Sequence, residues 1–374
     1  MQAPASPVSE GSDMSAPSPS HQPPPCDIFN TTFSLHQASP LFVGSDGLSP
    51  ARLTSLEQQL RDILVGDVVR GVEVGLDNDS NTMGGAGGLE VVTIAMVATE
   101  GVIATSESAL QISLQYENAL CLCLLLPLPE AVEHTTKYSL GAGRPAMHLP
   151  LLLLRMPLAL KSIITNFLSD TFDCRVNPIS LSGIDIIRSW ELWARETGVP
   201  TTGQLAKDTV LTLSFCLAKA KGPPHLEDTE VGVDLSASPV AAAEVTSTPN
   251  SASLGIKTID IFIPNEDLRG FIAVGRQHKA RAQAGLEEPG RPNRLDIDSM
   301  PFSYAVACYV KHHLALDMAN PAVTIVRIAC GGFVLAESRL KLLSTPDSNR
   351  DLVSARHRTT VSQLLGGLVL RAAG

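Results

Sequence analysis

LEVVTIAMVATEGVIATSESALQISLQYENALCLCLLL, residues 89–126, decides the fold. It contains three runs rich in Val, Ile, Leu and aromatic residues, 89–98, 109–116 and 120–126, separated by short polar stretches. Runs of that length and composition read as β-strands. Strands that follow one another through short turns pair antiparallel, because a parallel pair needs a crossover of a dozen residues or more. The class is therefore α+β with mostly antiparallel sheet, and a doubly wound α/β arrangement is disfavoured.

Outward from this block the same alternation recurs. Phe29, Thr31, Phe33 and Leu35 alternate with polar residues in a strand, and residues 68–76 read as another, joined to the central block by a hairpin loop at the glycine tract 84–88. Thr209 opens a strand to 218 with Leu211, Leu213, Phe215 and Leu217 on one side, and residues 256–263 form the next. A hairpin follows, with strands 323–329 and 333–343 around Gly331-Gly332.

Helices interleave with the strands. Ser49 caps one with Pro50 at its first position; Leu53, Leu56, Leu60, Ile63 and Leu64 form its stripe, and Gly66 ends it. Pro157 opens a second, with Leu160, Ile163, Ile164, Phe167 and Leu168 buried, and residues 173–181 read as a strand after it. Ser182 and Asp185 have capping-box spacing before a helix that carries Ile186, Ile187, Trp190 and Trp193. The two tryptophans share a face and read as core anchors beneath a sheet, with a partner-binding hot spot as the competing reading. Further helices start near Glu266 and at Pro301, with a basic loop between them, and a last one near 361–371 either docks or frays.

Four segments result: a disordered tail at 1–27, an α+β part at 28–221, a disordered acidic insertion at 222–255, and a second α+β part at 256–374. The tail and the insertion carry Glu10, Asp13, Asp27, Glu227, Asp228, Glu230, Asp234 and Glu244, most of the net charge of -10. Residues 256–374 hold 15 basic against 11 acidic residues. That part could face an acidic partner, although a scattered Arg excess on a solvated surface reads the same way. Within it Arg276, Lys279, Arg281, Arg291 and Arg294 are the candidate DNA contacts, with an ordinary solvated loop as the alternative.

The seven cysteines lie mostly in apolar runs (Cys121, Cys123, Cys174, Cys216, Cys308, Cys330), as reduced, buried thiols do. The start lacks an apolar leader, and the runs 119–128 and 149–160 are too short to span a bilayer, so the expected compartment is cytosolic or nuclear with no membrane partner. Walker, GxSxG, HExxH and paired CxxC motifs are absent from the sequence, so no catalytic residue, cofactor or metal is assigned. His312 and His313 adjoin on a helix about 100° apart, which denies them a shared metal and suits one solvent-facing and one half-buried ring. Ser6-Pro7, Ser18-Pro19, Ser238-Pro239 and Thr248-Pro249 are candidate sites for cell-cycle kinases.

Taken together, FNTTFSLHQASPLF (29–42), LRDILVGDVVRGVEVGL (60–76), LPLLLLRMPLALKSIITNFLSDTFDCRV (149–176) and HHLALDMANPAVTIVRIACGGFVLAESRLKLL (312–343) resemble fungal members of the CENP-L family. The resemblance implies curved antiparallel sheets flanked by helices and a place in the inner kinetochore, in the nucleus at the centromere. It also implies pairing with a CENP-N-like subunit through the C-terminal sheet, alongside other inner-kinetochore subunits and centromeric DNA or a nucleosome. Val323, Ile325, Val326, Ile328, Phe333 and Leu335 of the hairpin are the candidate partner edge, since an apolar strand near a chain end offers unpaired backbone groups. The rival reading is an α+β metabolic enzyme with an unrecognised site.

Overall fold

The computed structural model describes residues 28–45, 47–69, 86–99, 102–103, 107–129, 146–215, 256–283, 300–344 and 352–374. The 1–27 tail, the 222–255 insertion, Arg291, Arg294 and the four Ser/Thr-Pro sites lie outside them.

The described strands, in chain order, are β1 (Thr32–Ala38), β2 (Leu41–Phe42), β3 (Leu89–Ala98), β4 (Ser108–Tyr116), β5 (Ala119–Leu126), β6 (Ala146–Met147), β7 (Leu151–Arg155), β8 (Val176–Pro178), β9 (Thr209–Phe215), β10 (Thr258–Ile263), β11 (Val323–Ala329), β12 (Phe333–Ala336) and β13 (Arg339–Leu342). The helices are α1 (Pro50–Val69), α2 (Leu158–Phe172), α3 (Gly183–Thr197), α4 (Asn265–Gln283), α5 (Pro301–Leu314) and α6 (Leu352–Ala373). The fold is α+β and its strand pairings are antiparallel.

One 11-stranded sheet runs in the order β10-β9-β11-β12-β13-β1-β7-β5-β4-β3, with β8 beside the second half of β1. Strands from both sides of the 222–255 segment thus share one sheet: β9 pairs with β10 and β11, and β1 pairs with β13. Its Ser34 stands opposite Arg339 of β13 on one side and Leu154 of β7 on the other.

The period of two along each strand separates two cores. On one face Phe33, Leu35, Leu151, Leu153, Leu211, Leu213, Ile328, Phe333, Leu335, Leu340 and Leu342 pack with buried residues of α3, α5 and α6. On the other face Leu110, Ile112, Leu114, Cys121, Cys123, Leu125, Leu152 and Leu154 meet Leu56, Leu60 and Leu64 of α1 and Leu160, Ile164, Phe167 and Leu168 of α2. Both tryptophans of α3 are buried: Trp190 stacks on Phe302 at 3.7 Å, and Trp193 meets Phe333 edge-on at 6.4 Å. The core-anchor reading holds for them. The Ser182 capping box is formed, with the Ser182 hydroxyl accepting from the Asp185 N–H and the Asp185 carboxylate accepting from the Ser182 N–H.

Several sequence expectations are corrected. Helix α1 continues through Gly66 to Val69, so residues 68 and 69 are helical; the rest of the expected 68–76 strand lies outside the described residues. The 173–181 strand reduces to β8, and Asp173 is the left-handed cap of α2. The 333–343 strand is two strands, β12 and β13, folded on each other at Glu337-Ser338. Arg276, Lys279 and Arg281 lie on α4 and not in a loop, because residues 276–283 contain no Gly or Pro to stop the helix. Cys308 is exposed, since α5 turns Phe302, Ala305, Val306 and Val310 inward. His312 and His313 are both exposed, in the last turn of α5 beyond Val310.

Candidate interaction surfaces

A sheet of this kind has two edges, and this one treats them differently. At the β3 edge, α1 supplies side chains to the strand's outer backbone groups. The Ile94 N–H donates to Glu57 Oε1 at 2.8 Å, and an Arg61 guanidinium nitrogen donates to the Glu90 carbonyl at 3.0 Å. Polar side chains on an edge's orphan groups block the addition of a further strand. At the β10 edge no other strand pairs among the described residues, and Phe262 is 70% exposed there. β10 offers both main-chain groups and an aromatic anchor.

The face of β9–β13 opposite the α3, α5 and α6 core carries a second surface. Register partners place Asp260, Thr212, Arg327, Ala336, Arg339 and Ser34 in one row across β10, β9, β11, β12, β13 and β1. The neighbouring row is Phe262, Val210, Ala329, Val334, Lys341 and Thr32. Between the cations the side chains are small or short, so the guanidinium and ammonium groups stand above a low floor. Arg327 and Arg339 are exposed and Lys341 half-buried, and none of the three forms an ion pair among the described residues. Lys161, in the first turn of α2, lies within electrostatic reach of Arg339. Burial, then the nearby Arg339 charge, holds its ammonium below the usual lysine range. The acids nearest in register and sequence are Asp260 at the far end of the first row, which accepts from the Thr212 hydroxyl, and Glu337 in the β12–β13 turn.

The residues singled out in the sequence fall elsewhere. Ile328, Phe333 and Leu335 are fully buried, and Val323 and Ile325 pack against the same core. Val326 is half-buried at the β11 bulge, its carbonyl accepting from the Glu337 N–H at 3.2 Å. The hairpin lies inside the sheet, flanked by β9 and β1, so the edge argument for these six residues fails: pairing on both sides consumes the backbone groups it relied on. Of the α4 cations, Arg276 and Arg281 are exposed. Arg276 also acts on the half-buried Glu191 carboxylate of α3, which burial pushes up while the Ser303 N–H and hydroxyl at the start of α5, each at 3.0 Å, pull it down.

With this geometry in place, the family model described as Centromere protein L matches residues 27–373, from the residue before the first described one to the penultimate residue of the chain. The chain belongs to the CENP-L family. No curated protein matches it in sequence. Membership makes it a kinetochore-related protein of the centromere, nuclear and chromosomal, in a family that is structural and not enzymatic. The described residues include no group of three or more His, Cys, Asp or Glu side chains able to hold a metal, and no helix long and apolar enough to cross a membrane.

Arg327, Arg339, Lys341 and Lys161 escaped the sequence reading because no two elements that carry them stand out as basic. The signal available was the alternation of charge with apolar residues in RLKL, which marks a strand with one solvated, cationic face.

Proposed function

We propose that this chain is a non-enzymatic structural subunit of the inner kinetochore that pairs with a CENP-N-like protein along β10, beside other inner-kinetochore subunits, and lays its open cationic face on centromeric DNA. The observation that carries the reading is the contrast between the blocked β3 edge and the open β10 edge. Strand addition at an open edge gives affinity through main-chain hydrogen bonds, and an exposed aromatic such as Phe262 gives the anchor. The DNA part rests on four cations gathered on one face of a chain whose net charge is -10. Phosphate contacts by Arg and Lys release counterions, so affinity falls with salt by a slope of about 0.9 per contact.

Two experiments test this. Co-expression with a CENP-N-like partner should yield a complex that Phe262→Asp weakens at least tenfold while the folded state is unchanged; undiminished pairing would remove β10 as the interface. Binding of a 30-bp duplex, measured against salt, should lose about two units of slope in Arg327→Gln/Arg339→Gln if each residue meets one phosphate. An unchanged slope would exclude this face. The substitution Ile328→Asp is no test of pairing, because Ile328 is 0% exposed and a charge there would unfold the sheet.

A further inference from the structure

His36 stands on β1 two residues beyond Ser34, on the same cationic face. Its register partners bring no charge to it: Leu152 of β7 on one side, Pro178 of β8 on the other. The charged group that acts on the ring is Lys161 of α2, and Arg339 of β13 acts in turn on Lys161. The imidazole is half-buried, and its Nδ1 is buried with no hydrogen-bond partner. His357 provides the contrast, because both of its ring nitrogens are engaged, one by Trp193 and one by the Leu343 carbonyl, and a change of protonation there breaks a packed contact. At His36 the hydrogen bond that acts on the ring is a backbone one at Ser34, and that bond favours the charged form.

Lys161 thus lies within electrostatic reach of both His36 and Arg339, and these like charges make the charged forms of His36 and Lys161 harder to hold. The acid nearest them is Glu337, exposed in the β12–β13 turn two residues before Arg339. Burial, then Lys161, hold the imidazole below its ordinary value against the Ser34 backbone hydrogen bond that raises it, so with the face empty the ring takes up a proton less readily than a free imidazole. A phosphate oxygen set among these groups reverses the sign of the local potential and favours the imidazolium. By reciprocity of linkage, whatever raises proton affinity on binding is itself bound more tightly as protons become available.

We infer that Lys161, Arg339 and His36 form one anion subsite on the open face, and that a DNA phosphate seated there is held more tightly once His36 has taken up a proton from solvent. The inference rests on the DNA reading given above. Lys161 and Arg339 supply the fixed charge, and His36 supplies a third that filling the subsite favours.

The test is duplex affinity at fixed salt from pH 8 to pH 6 for the full chain and for His36→Gln, with circular dichroism to confirm that the variant folds. The wild-type chain should gain affinity as pH falls, up to about tenfold per unit for one linked proton, and His36→Gln should lose that increment while keeping its salt slope. In parallel, the His36 ring resonance should titrate at higher pH with duplex bound than without it, and inorganic phosphate at equal phosphate concentration should produce a smaller shift. Equal pH dependence in the two proteins, or a His36 titration unmoved by duplex, overturns the inference. Loss of duplex binding at every pH and low salt would instead overturn the reading of the face on which it stands.

Discussion

Gly332→Ala should destabilise this protein severely, and the reason is local. A Cβ at position 332 would lie 2.2 Å from Nε1 of Trp193 and 2.7 Å from its Cε2, where real Cβ contacts begin near 3.0 Å. The indole cannot step aside: it is 2% exposed, meets Phe333 edge-on, and donates its N–H to His357 Nδ1 at 3.3 Å. Overpacking of this kind costs about 1–3 kcal/mol, and an indole pushed off His357 leaves a buried acceptor unpaired for roughly another 1–3 kcal/mol. The sum, about 2–6 kcal/mol, corresponds to a Tm lower by roughly 5–15 °C for a domain of this size. Gly367→Ala is the internal control. That glycine is interior to α6 with nothing within 4 Å of an added Cβ, so the substitution should stabilise by about 1 kcal/mol through helix propensity alone. Urea and thermal unfolding of the two variants should therefore move in opposite directions. A Gly332→Ala midpoint within 1 °C of wild type, on the order of the measurement error, would refute the close-approach argument.

Three further outcomes follow from the same structure. Burial, then the nearby Arg358 charge, keeps His357 below its ordinary value of 6.5, so the unfolded chain takes up a proton there before the folded one does. Its contribution is complete above pH 6.5 and is lost as pH falls below it; His357→Gln, which can still accept from Trp193 and donate to Leu343, should show a shallower loss between pH 7.5 and 5.5 in urea melts. Ser182→Ala removes the capping-box acceptor of α3 and should cost about 1 kcal/mol, seen as a shift of the urea midpoint without a change in slope. Glu57→Ala frees the Ile94 N–H at the β3 edge and should raise self-association in sedimentation or light scattering; a variant as monodisperse as wild type would mean that α1 blocks that edge by bulk alone.

What the sequence disclosed was local. The α1 and α2 stripes, the Ser182–Asp185 cap, and strands β3, β4 and β5 were readable because each is encoded in a few consecutive residues. β7 escaped because Leu151 and Leu153 face one core while Leu152 and Leu154 face the other, and a strand buried on both sides has no alternation to read. The β12–β13 turn escaped because Glu337-Ser338 lacks the Gly or Asn that marks a tight hairpin. Strand order was illegible for a different reason. β1 lies between β7 and β13, and nothing in residues 32–38 names partners so far along the chain. Both surfaces depend on that order: it makes β10 an edge and brings Arg327, Arg339 and Lys161 onto one face.

β9 and β10 are antiparallel neighbours in continuous register from Thr209 opposite Ile263 to Ser214 opposite Thr258. Phe215 and Lys257, joined by a backbone hydrogen bond, therefore stand side by side, and closing a chain between two such ends costs only about 0.6 kcal/mol more per doubling of its length. A connection between these ends can therefore change in length while the β9–β10 pairs stay in register. That tolerance lies at one end of β10, the edge strand of the described sheet, where a partner strand would be added.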